Sequence, residues 1–327
     1  MSQSNPSPTT ADARADVPAV SVVIPAYNVA PFIRETIDSI LAQSFRDYEI
    51  ILVNDGSPDT TELEHALEPY REHVRYLKQE NSGAAAARNA GLKVARGTYV
   101  AFLDADDYWM ENYLEEQMAF IRQADRYDLV YADALLFGDS SELAGRTYME
   151  IAPSHGEVTF EKLVRDECNI ITSGVVARRR VLHDVGLFDE SLRRAQDYDL
   201  WLRLAKAGAR LGYQRKVLLR YRIHSDSLSG DAIRQIERHL TVLNKTARRD
   251  DLTPSEKTAV EGAIAHLEAH LKLERGKLRL ADGDFAAAAI EIKDANRWQR
   301  SWRLRLVLLW LRIAPRSLQR VYKLRMI

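Results

Sequence analysis

Three carboxylates crowd into four positions at Asp104, Asp106 and Asp107, directly after the apolar run 98–103. Charges so close repel one another, and in a crevice they call for a cation. Hard oxygen ligands of this kind suit Mg²⁺ or Mn²⁺, ions that commonly bridge to bound phosphates. The alternative is helix capping, since aspartate is favoured at helix starts and a helical pattern begins near Glu111. Asp55 follows a second apolar run in Asn54-Asp55-Gly56-Ser57, as a turn residue or a ligand contact. Tyr27 and Asn28 follow a third, and read either as ordinary strand-end residues or as a stacking and hydrogen-bonding pair for a base. Arg88 lies in an alanine-rich helix and, by composition, is a solvated helix residue. Asp197 opens the segment 196–207 and, by type, is an N-cap or first-turn aspartate. His224 stands before a Ser-rich turn, as a satisfied loop histidine or as a metal or diphosphate contact.

The elements that must position these residues alternate. Residues 20–25 and 48–53 are continuous apolar runs, the signal of buried strands. Between them Pro31 opens a helix with Phe32, Ile33, Ile37, Ile40 and Leu41 on one face. A helix over 59–70, a strand over 74–77, a helix over 83–95, a strand over 98–103, a helix over 111–124 and a strand over 129–132 follow. This alternation predicts an α/β fold with a mostly parallel, doubly wound sheet, in which ligands bind outside the carboxyl ends of the strands. Three strands end in polar clusters, at Ala26-Tyr27-Asn28, Asn54-Asp55-Gly56 and Asp104–Asp107, which should converge on one crevice. No G-x-G-x-x-G follows the first strand and no G-x-x-x-x-G-K-[ST] occurs, which disfavours dinucleotide-binding and P-loop enzymes. Residues 138–172 read as loop with a helix near 160–165. A helix over 196–207 carries Leu200, Trp201 and Leu204 on one face, and 216–223 is a strand. From about Ala232 the pattern is helical. Gly276, Gly283 and the run Asp284-Phe285-Ala286-Ala287-Ala288 resemble a single helix-turn-helix repeat of tetratricopeptide type.

The chain has 327 residues, 46% of them hydrophobic, enough for about two domains and a substantial core. Its net charge of -1 argues against a generally basic nucleic-acid binder. Residues 297–327 hold nine Arg or Lys and no Asp or Glu, so residues 1–296 carry about -10. With Trp298, Trp302, Trp310 and many leucines, that tail reads as a helix lying in an anionic membrane surface, or as a terminal helix packed on the acidic body. Residues 1–17 read as a disordered lead-in. The single cysteine, Cys168, excludes an internal disulfide and fits a reducing cytosol. No signal-peptide core and no run of 18 apolar residues appears, so the expectation is a cytoplasmic protein, held by its tail at the inner membrane face.

Ser21–Asn28, Val53–Thr60, Asn81-Ser82-Gly83 leading to Ala87–Gly91, Phe102–Asp107, Gln196–Leu204 and Tyr221–Ser229 together resemble the family 2 glycosyltransferases of GT-A fold. The resemblance covers about 19–229. It implies a GT-A domain over 18–229, leaving a helical extension over 230–296 and the basic tail over 297–327. It further implies an inverting transferase using a nucleotide-diphosphate sugar, a UDP-sugar first among donors, with Mn²⁺ or Mg²⁺. Carried over, Pro25, Tyr27, Asn28, Asp55 and Arg88 line the nucleoside pocket, and Asp104 contacts the ribose side. Asp106 holds the metal, with Asp107 and His224 as further ligands, and Asp197 is the base that activates the acceptor, a glycan or a lipid-linked glycan. Inversion in one displacement needs such a base and no covalent nucleophile. Processive relatives carry a Gln-x-x-Arg-Trp pattern and several membrane spans. Here Gln196-Asp197 is followed by Trp201 without spans, which implies addition of one sugar, in surface polysaccharide synthesis. A nucleotidyltransferase would need a basic, glycine-rich loop after the first strand, where this chain has Ala26–Ala30. A non-catalytic nucleotide-binding or scaffold module is the other alternative, against which stand Asp106 and Asp197.

Overall fold

The structure, a computed structural model, describes residues 17–123, 126–139, 143–223 and 232–325. His224, with the rest of 224–231, and residues 1–16 of the expected lead-in lie outside the described residues. The first half alternates as expected: β1 (Val20–Ala26), α1 (Ile33–Leu41), β2 (Tyr48–Asp55), α2 (Thr60–Leu67), β3 (Val74–Gln79), α3 (Ala84–Val94) and β4 (Tyr99–Phe102). Then come β5 (Tyr108–Trp109), α4 (Tyr113–Arg122), β6 (Leu129–Gly138), α5 (Phe160–Val164), β7 (Val175–Arg178), α6 (Arg179–Asp184), α7 (Gln196–Lys206) and β8 (Leu211–Ile223). All eight strands form one sheet in the order β3-β2-β1-β4-β7-β6-β8-β5.

The strands β1 to β4 pair in parallel, and so do β6 and β8. Two strands run against them: β7 is antiparallel to both β4 and β6, and β5 to β8. The sheet is therefore mixed where a wholly doubly wound reading would make it parallel. At four and two residues, these strands are too short to show a period of their own. Alternate β1 residues feed two cores. Val22 and Ile24 pack with Ile33, Ile37 and Ile40 of α1, while Val23 packs on the other face with Leu92 of α3. Burial on both faces is why β1 and β2 read as unbroken apolar runs.

Beyond the sheet the chain is helical: α8 (Ala232–Ala247), α9 (Pro254–Asp282), α10 (Phe285–Gln299), α11 (Trp302–Ile313) and α12 (Pro315–Arg325). This region is not a separate body. Val242, Leu243, Ala259 and Val260 of α8 and α9 belong to the same core as Val23 and Phe102. Helix α9 turns at Gly283 into α10, as the repeat-like motif suggested, and the two pack so closely that a Cβ on Gly276 would lie 2.7 Å from Ile292. The tail packs on the preceding helices along one stripe only. Leu311 and Leu318 are buried against Leu280, Ala288 and Ile292, while Trp302, Leu306, Leu309 and Ile313 are exposed. No helix among the described residues is long and apolar enough to cross a membrane.

Candidate active site

The ends of β1 and β2 are stitched into one rim. The Asn28 amide, in a left-handed conformation at φ 55, donates to Ser57 Oγ at 2.6 Å, and Ser57 Oγ donates to Asp59. Asn54 Oδ1 accepts from the Ser57 amide at 2.9 Å. Gly56 sits at φ +60, and a Cβ there would lie 2.6 Å from the backbone nitrogen of Asn81, so this turn admits glycine alone without displacement. The turn aims Asp55 at the loop before α3. Its Oδ1 accepts from Gln79 Nε2 (2.7 Å) and the Ser82 amide (2.9 Å), and its Oδ2 from the Gly83 amide (2.8 Å). A carboxylate offers about four acceptor positions, so one of them is left over. Tyr27 projects exposed beside this rim, and Pro25 is half-buried in β1 opposite Val53.

Arg88 corrects the composition-based expectation of a solvated residue. It is 4% exposed, donates from Nη2 to Asp104 Oδ1 at 2.5 Å and packs over the Phe188 ring. Its Nε and Nη1 have no hydrogen-bond partner among the described residues. Buried donors left over in this way are uncommon in a folded chain.

After β4 the carboxylates alternate like a strand. Asp104 and Asp106 are half-buried at the crevice, while Ala105 and Asp107 turn inward. Asp107 is 1% exposed. Its Oδ2 accepts from Ser173 Oγ (2.6 Å), and its Oδ1 accepts from the Arg222 amide (2.8 Å). Burial, with Asp106 and Asp104 close by, pushes its carboxyl well above the usual range. Thr36 donates to the backbone oxygens of both Ala105 and Asp107. Arg222 clamps the outside of the loop. Its Nε donates to the Asp106 carbonyl at 2.9 Å, Nη2 to Glu35, and its guanidinium lies between the rings of Phe32 and Phe137. The loop does not cap a helix: it leads into β5, and the N-cap of α4 is Asn112. Among the described residues no three His, Cys, Asp or Glu are grouped to cage an ion. The donor set fits a hard cation that takes one or two carboxylates from the protein and the rest from phosphate and water.

Asp197 lies in the first turn of α7, after Ala195 in a left-handed conformation. It is half-buried. Oδ2 accepts from Thr172 Oγ1 (2.8 Å) and Oδ1 from the Tyr198 amide (2.8 Å). Thr172 and Ser173 are neighbours on the short 3₁₀ turn 172–174, so adjacent hydroxyls tie Asp197 to Asp107. Ser173 Oγ also accepts from the Asp104 amide at 3.2 Å. Tyr221 and Tyr148 continue the link, with ring centroids 6.1 Å apart. Burial and the Asp107 charge raise the Tyr221 hydroxyl, while burial and the Asp197 charge raise that of Tyr148. Asp197 also lines a cavity of about 1100 Å³ between the sheet domain and helices α8 to α10. There burial lowers His239, against the opposing pull of Asp166 and Asp197.

The structure thus brings together Asp55, Arg88, Asp104, Asp106 and Asp107 at the strand ends and couples them to Asp197. Tyr148 and Thr172 had no signal in the sequence, since 138–172 carries no motif, and Ser173, just beyond it, lies in no block of the resemblance. Arg222 lies in a block the resemblance covered, but no spacing gave it a role.

The glycosyl transferase family 2 model matches residues 21–186, and this chain belongs to that family. A relative named as an uncharacterized glycosyltransferase from Rickettsia prowazekii is 31% identical over 252 residues, 75% of this chain and 76% of that protein. A Rickettsia felis relative of the same description is 32% identical, but the match covers 35% of its length and 64% of this chain. An Escherichia coli protein named as a UDP-Glc:α-D-GlcNAc-diphosphoundecaprenol β-1,3-glucosyltransferase is 30% identical, over 68% of this chain and 85% of its own. Two solved structures share the fold at 20% identity and a TM-score of 0.61. They are Staphylococcus aureus TarS with UDP-GlcNAc (93% and 90% coverage) and a Pyrobaculum calidifontis mannosyltransferase with GDP-Man and Mn²⁺ (94% and 85%). The chain is a glycosyltransferase of GT-A architecture with a helical C-terminal region.

Proposed function

We propose that this enzyme moves one sugar, with inversion, from a nucleotide-diphosphate sugar to a hydroxyl of a glycan or lipid-linked acceptor in surface polysaccharide synthesis. The observation that carries the reading is the 172–174 turn, whose adjacent hydroxyls hold Asp197 and the Asp104–Asp107 loop in one frame. A displacement at the anomeric carbon needs these two groups in fixed relation: a base for the acceptor proton and a charged seat for the departing diphosphate.

Pro25, Tyr27 and Asn28 form one wall of the nucleoside site. Asp55 shapes the 80–83 loop and offers its remaining acceptor position to a ring N–H of the base. Arg88 offers its two unpartnered donors beside Asp104, which faces the ribose. Asp106 holds Mn²⁺ or Mg²⁺, which when bound neutralises charge on the leaving diphosphate. His224 completes the ligand proposal, whereas Asp107, expected from the sequence as a further ligand, turns inward with both oxygens bonded and acts through the backbone geometry it fixes. Asp197 accepts the acceptor hydroxyl proton, oriented by Thr172. A UDP-sugar is the first donor to test, because a uracil ring N–H suits Asp55. Guanine also has a ring N–H, and the two solved relatives hold UDP-GlcNAc and GDP-Man, so a GDP-sugar belongs in the same panel. The enzyme works in the cytoplasm, held at the inner membrane face by its tail.

Thermal stabilisation across a panel of sugar nucleotides, with and without Mn²⁺, identifies the donor. Donor turnover is then followed with acceptor for wild type, Asp106→Ala and Asp197→Asn. Metal-dependent donor binding lost in Asp106→Ala and transfer lost in Asp197→Asn support the assignments. Equal turnover by wild type and Asp197→Asn would remove the base.

A further inference from the structure

The cavity beside Asp197 has a chemistry that the sugar acceptor itself does not explain. Its volume of about 1100 Å³ exceeds the roughly 300–1000 Å³ usual for ligand pockets, which leaves room for more than one sugar ring. Its walls carry Arg165, Arg194, Arg234 and Arg238, set against Asp166 and Asp197. Arg234 and Arg238 stand one turn apart on α8, while Arg165 follows α5 and Arg194 precedes α7, so cations approach from separate elements. Neutral sugars are held by hydroxyls, amides and aromatic faces. Guanidinium groups in number suit phosphate, which they bind through paired N–H donors. The donor diphosphate does not account for them, because its proposed seat is at Asp104 and Asp106 on the other side of the 172–174 turn.

The cavity also leads to the tail. Trp298 of α10 lines it, with its ring tilted against His266 at 4.8 Å between centroids, and remains 47% exposed, which sets it at the rim. Four residues on, α11 begins with Trp302, 65% exposed, and its outer stripe runs through Leu306 and Leu309 to Ile313, 72% exposed. The opposite stripe of α11 is already packed on α9 and α10, so the outer one is a second apolar face, flanked by arginines. An aromatic and apolar strip edged with arginine is the composition of a helix lying in a lipid interface.

We infer that this cavity is a subsite for the phosphate or diphosphate linking the acceptor sugar to a membrane lipid, and that its rim at Trp298 faces the bilayer. The inference rests on the proposed glycosyl transfer and deepens it. The arginines hold the anionic linker, the lipid leaves over Trp298 toward α11, and the sugar is presented to Asp197. The acceptor is thereby selected by its linker as well as by its hydroxyl.

Calorimetric titration of the full chain in EDTA, using farnesyl diphosphate as the soluble probe, tests this. Farnesol, inorganic pyrophosphate and dihexanoyl phosphatidylglycerol are the comparison arms. Farnesyl diphosphate is expected to bind at least tenfold tighter than any of the three. The Arg194→Gln/Arg238→Gln variant should lose that binding tenfold or more, and Asp106→Ala should retain it. UDP binding with Mn²⁺ should show the reverse pattern, which also reports that both variants are folded. Equal binding of phosphatidylglycerol would make this a headgroup site, and equal binding of pyrophosphate a free-phosphate site. Loss of farnesyl diphosphate binding in Asp106→Ala would place the probe at the donor seat. Each of these results overturns the inference, as does an arginine variant that binds like wild type. Donor turnover by wild type is read separately. If it is absent the glycosyltransfer reading fails, whereas intact turnover without linker binding removes this inference alone.

Discussion

At the strand ends, Asn28 after β1, Asp55 and Ser57 at the end of β2, and the 80–83 loop after β3 are joined by hydrogen bonds, and the facing Asp107 carboxylate is pinned by Ser173 and Arg222. Across the 172–174 turn the surroundings change. The wall of the large cavity comes from the segment 148–170 and helices α7 to α10, its prominent charges are arginines, and it is wide. The first region is acidic and held largely by backbone donors. The second is cationic, roomy and lined by side chains. A site that must seat a diphosphate and a cation in one geometry gains from preorganised donors. A site that receives a large acceptor needs space and long side chains. The 172–174 turn joins the two regions, and under the proposed function it is where they are kept in register.

Breaking that joint at its two ends should give different failures. Asp197→Asn keeps the shape and the bond from Thr172 but removes the carboxylate proposed as the base. Transfer should fall by roughly 10²–10⁴-fold, with UDP affinity unchanged by titration. Thr172→Val keeps the carboxylate but frees it to rotate. kcat should fall by up to about 10²-fold, the cost of misplacing a reacting group, with donor KM unaltered. A parallel loss of donor affinity would show that the two regions are not separable. Ser173→Ala acts on the donor side. It strips Asp107 of one of two partners in a buried place, so unfolding should become easier by about 1–3 kcal/mol in denaturant titration, and metal-dependent donor binding should weaken with it.

The tail sharpens the contrast at a smaller scale. Trp302→Glu with Ile313→Glu should reduce co-flotation with vesicles containing phosphatidylglycerol by about tenfold, a loss near 1.4 kcal/mol, and leave donor binding intact. Equal flotation of the double variant and wild type would remove the proposed membrane contact of the tail.

The smallest effect expected is on the docking of α8. Lys245 donates to Asp189 and Asp199, each at 2.6 Å, with Arg203 also on Asp199 and Arg249 beside them. Burial pushes the Asp189 carboxyl up, but the bonds from Lys245 and Ser191 outweigh it and hold it down to about 2. Its folded value lies below the unfolded value of about 3.9, so its contribution is complete above that pH and is lost as pH falls toward 2. The melting-temperature gap between wild type and Lys245→Gln should therefore narrow between pH 5 and pH 2.5. A constant gap would assign the pair no role in docking α8.

Much of the strand-end geometry was legible because a buried strand puts its polar residues just after its apolar run. Val20–Ala26, the run into Asp55 and the run into Asp104 each announce their own polar end. The two short antiparallel strands, β5 and β7, were not legible, since pairing with β8 and β6 makes them strands and their own residues carry no period. Arg88 misled for a related reason. An arginine among alanines looks solvated until Asp104, sixteen residues on, and Phe188, a hundred residues on, are seen to enclose it.

By itself the sequence determined the alternation of strands and helices, the three polar strand ends, the acidic body with its basic tail, and the family. These depend on local order and composition, which chain neighbours carry. The tertiary structure alone decided that Thr172 and Ser173 join Asp197 to Asp107, that Arg222 clamps the carboxylate loop, and that arginines from separate elements meet in one cavity beside Trp298. Those relations lie between residues tens to more than a hundred positions apart: folding of the sheet domain brings the first two within reach, and packing of the C-terminal helices against it forms the cavity.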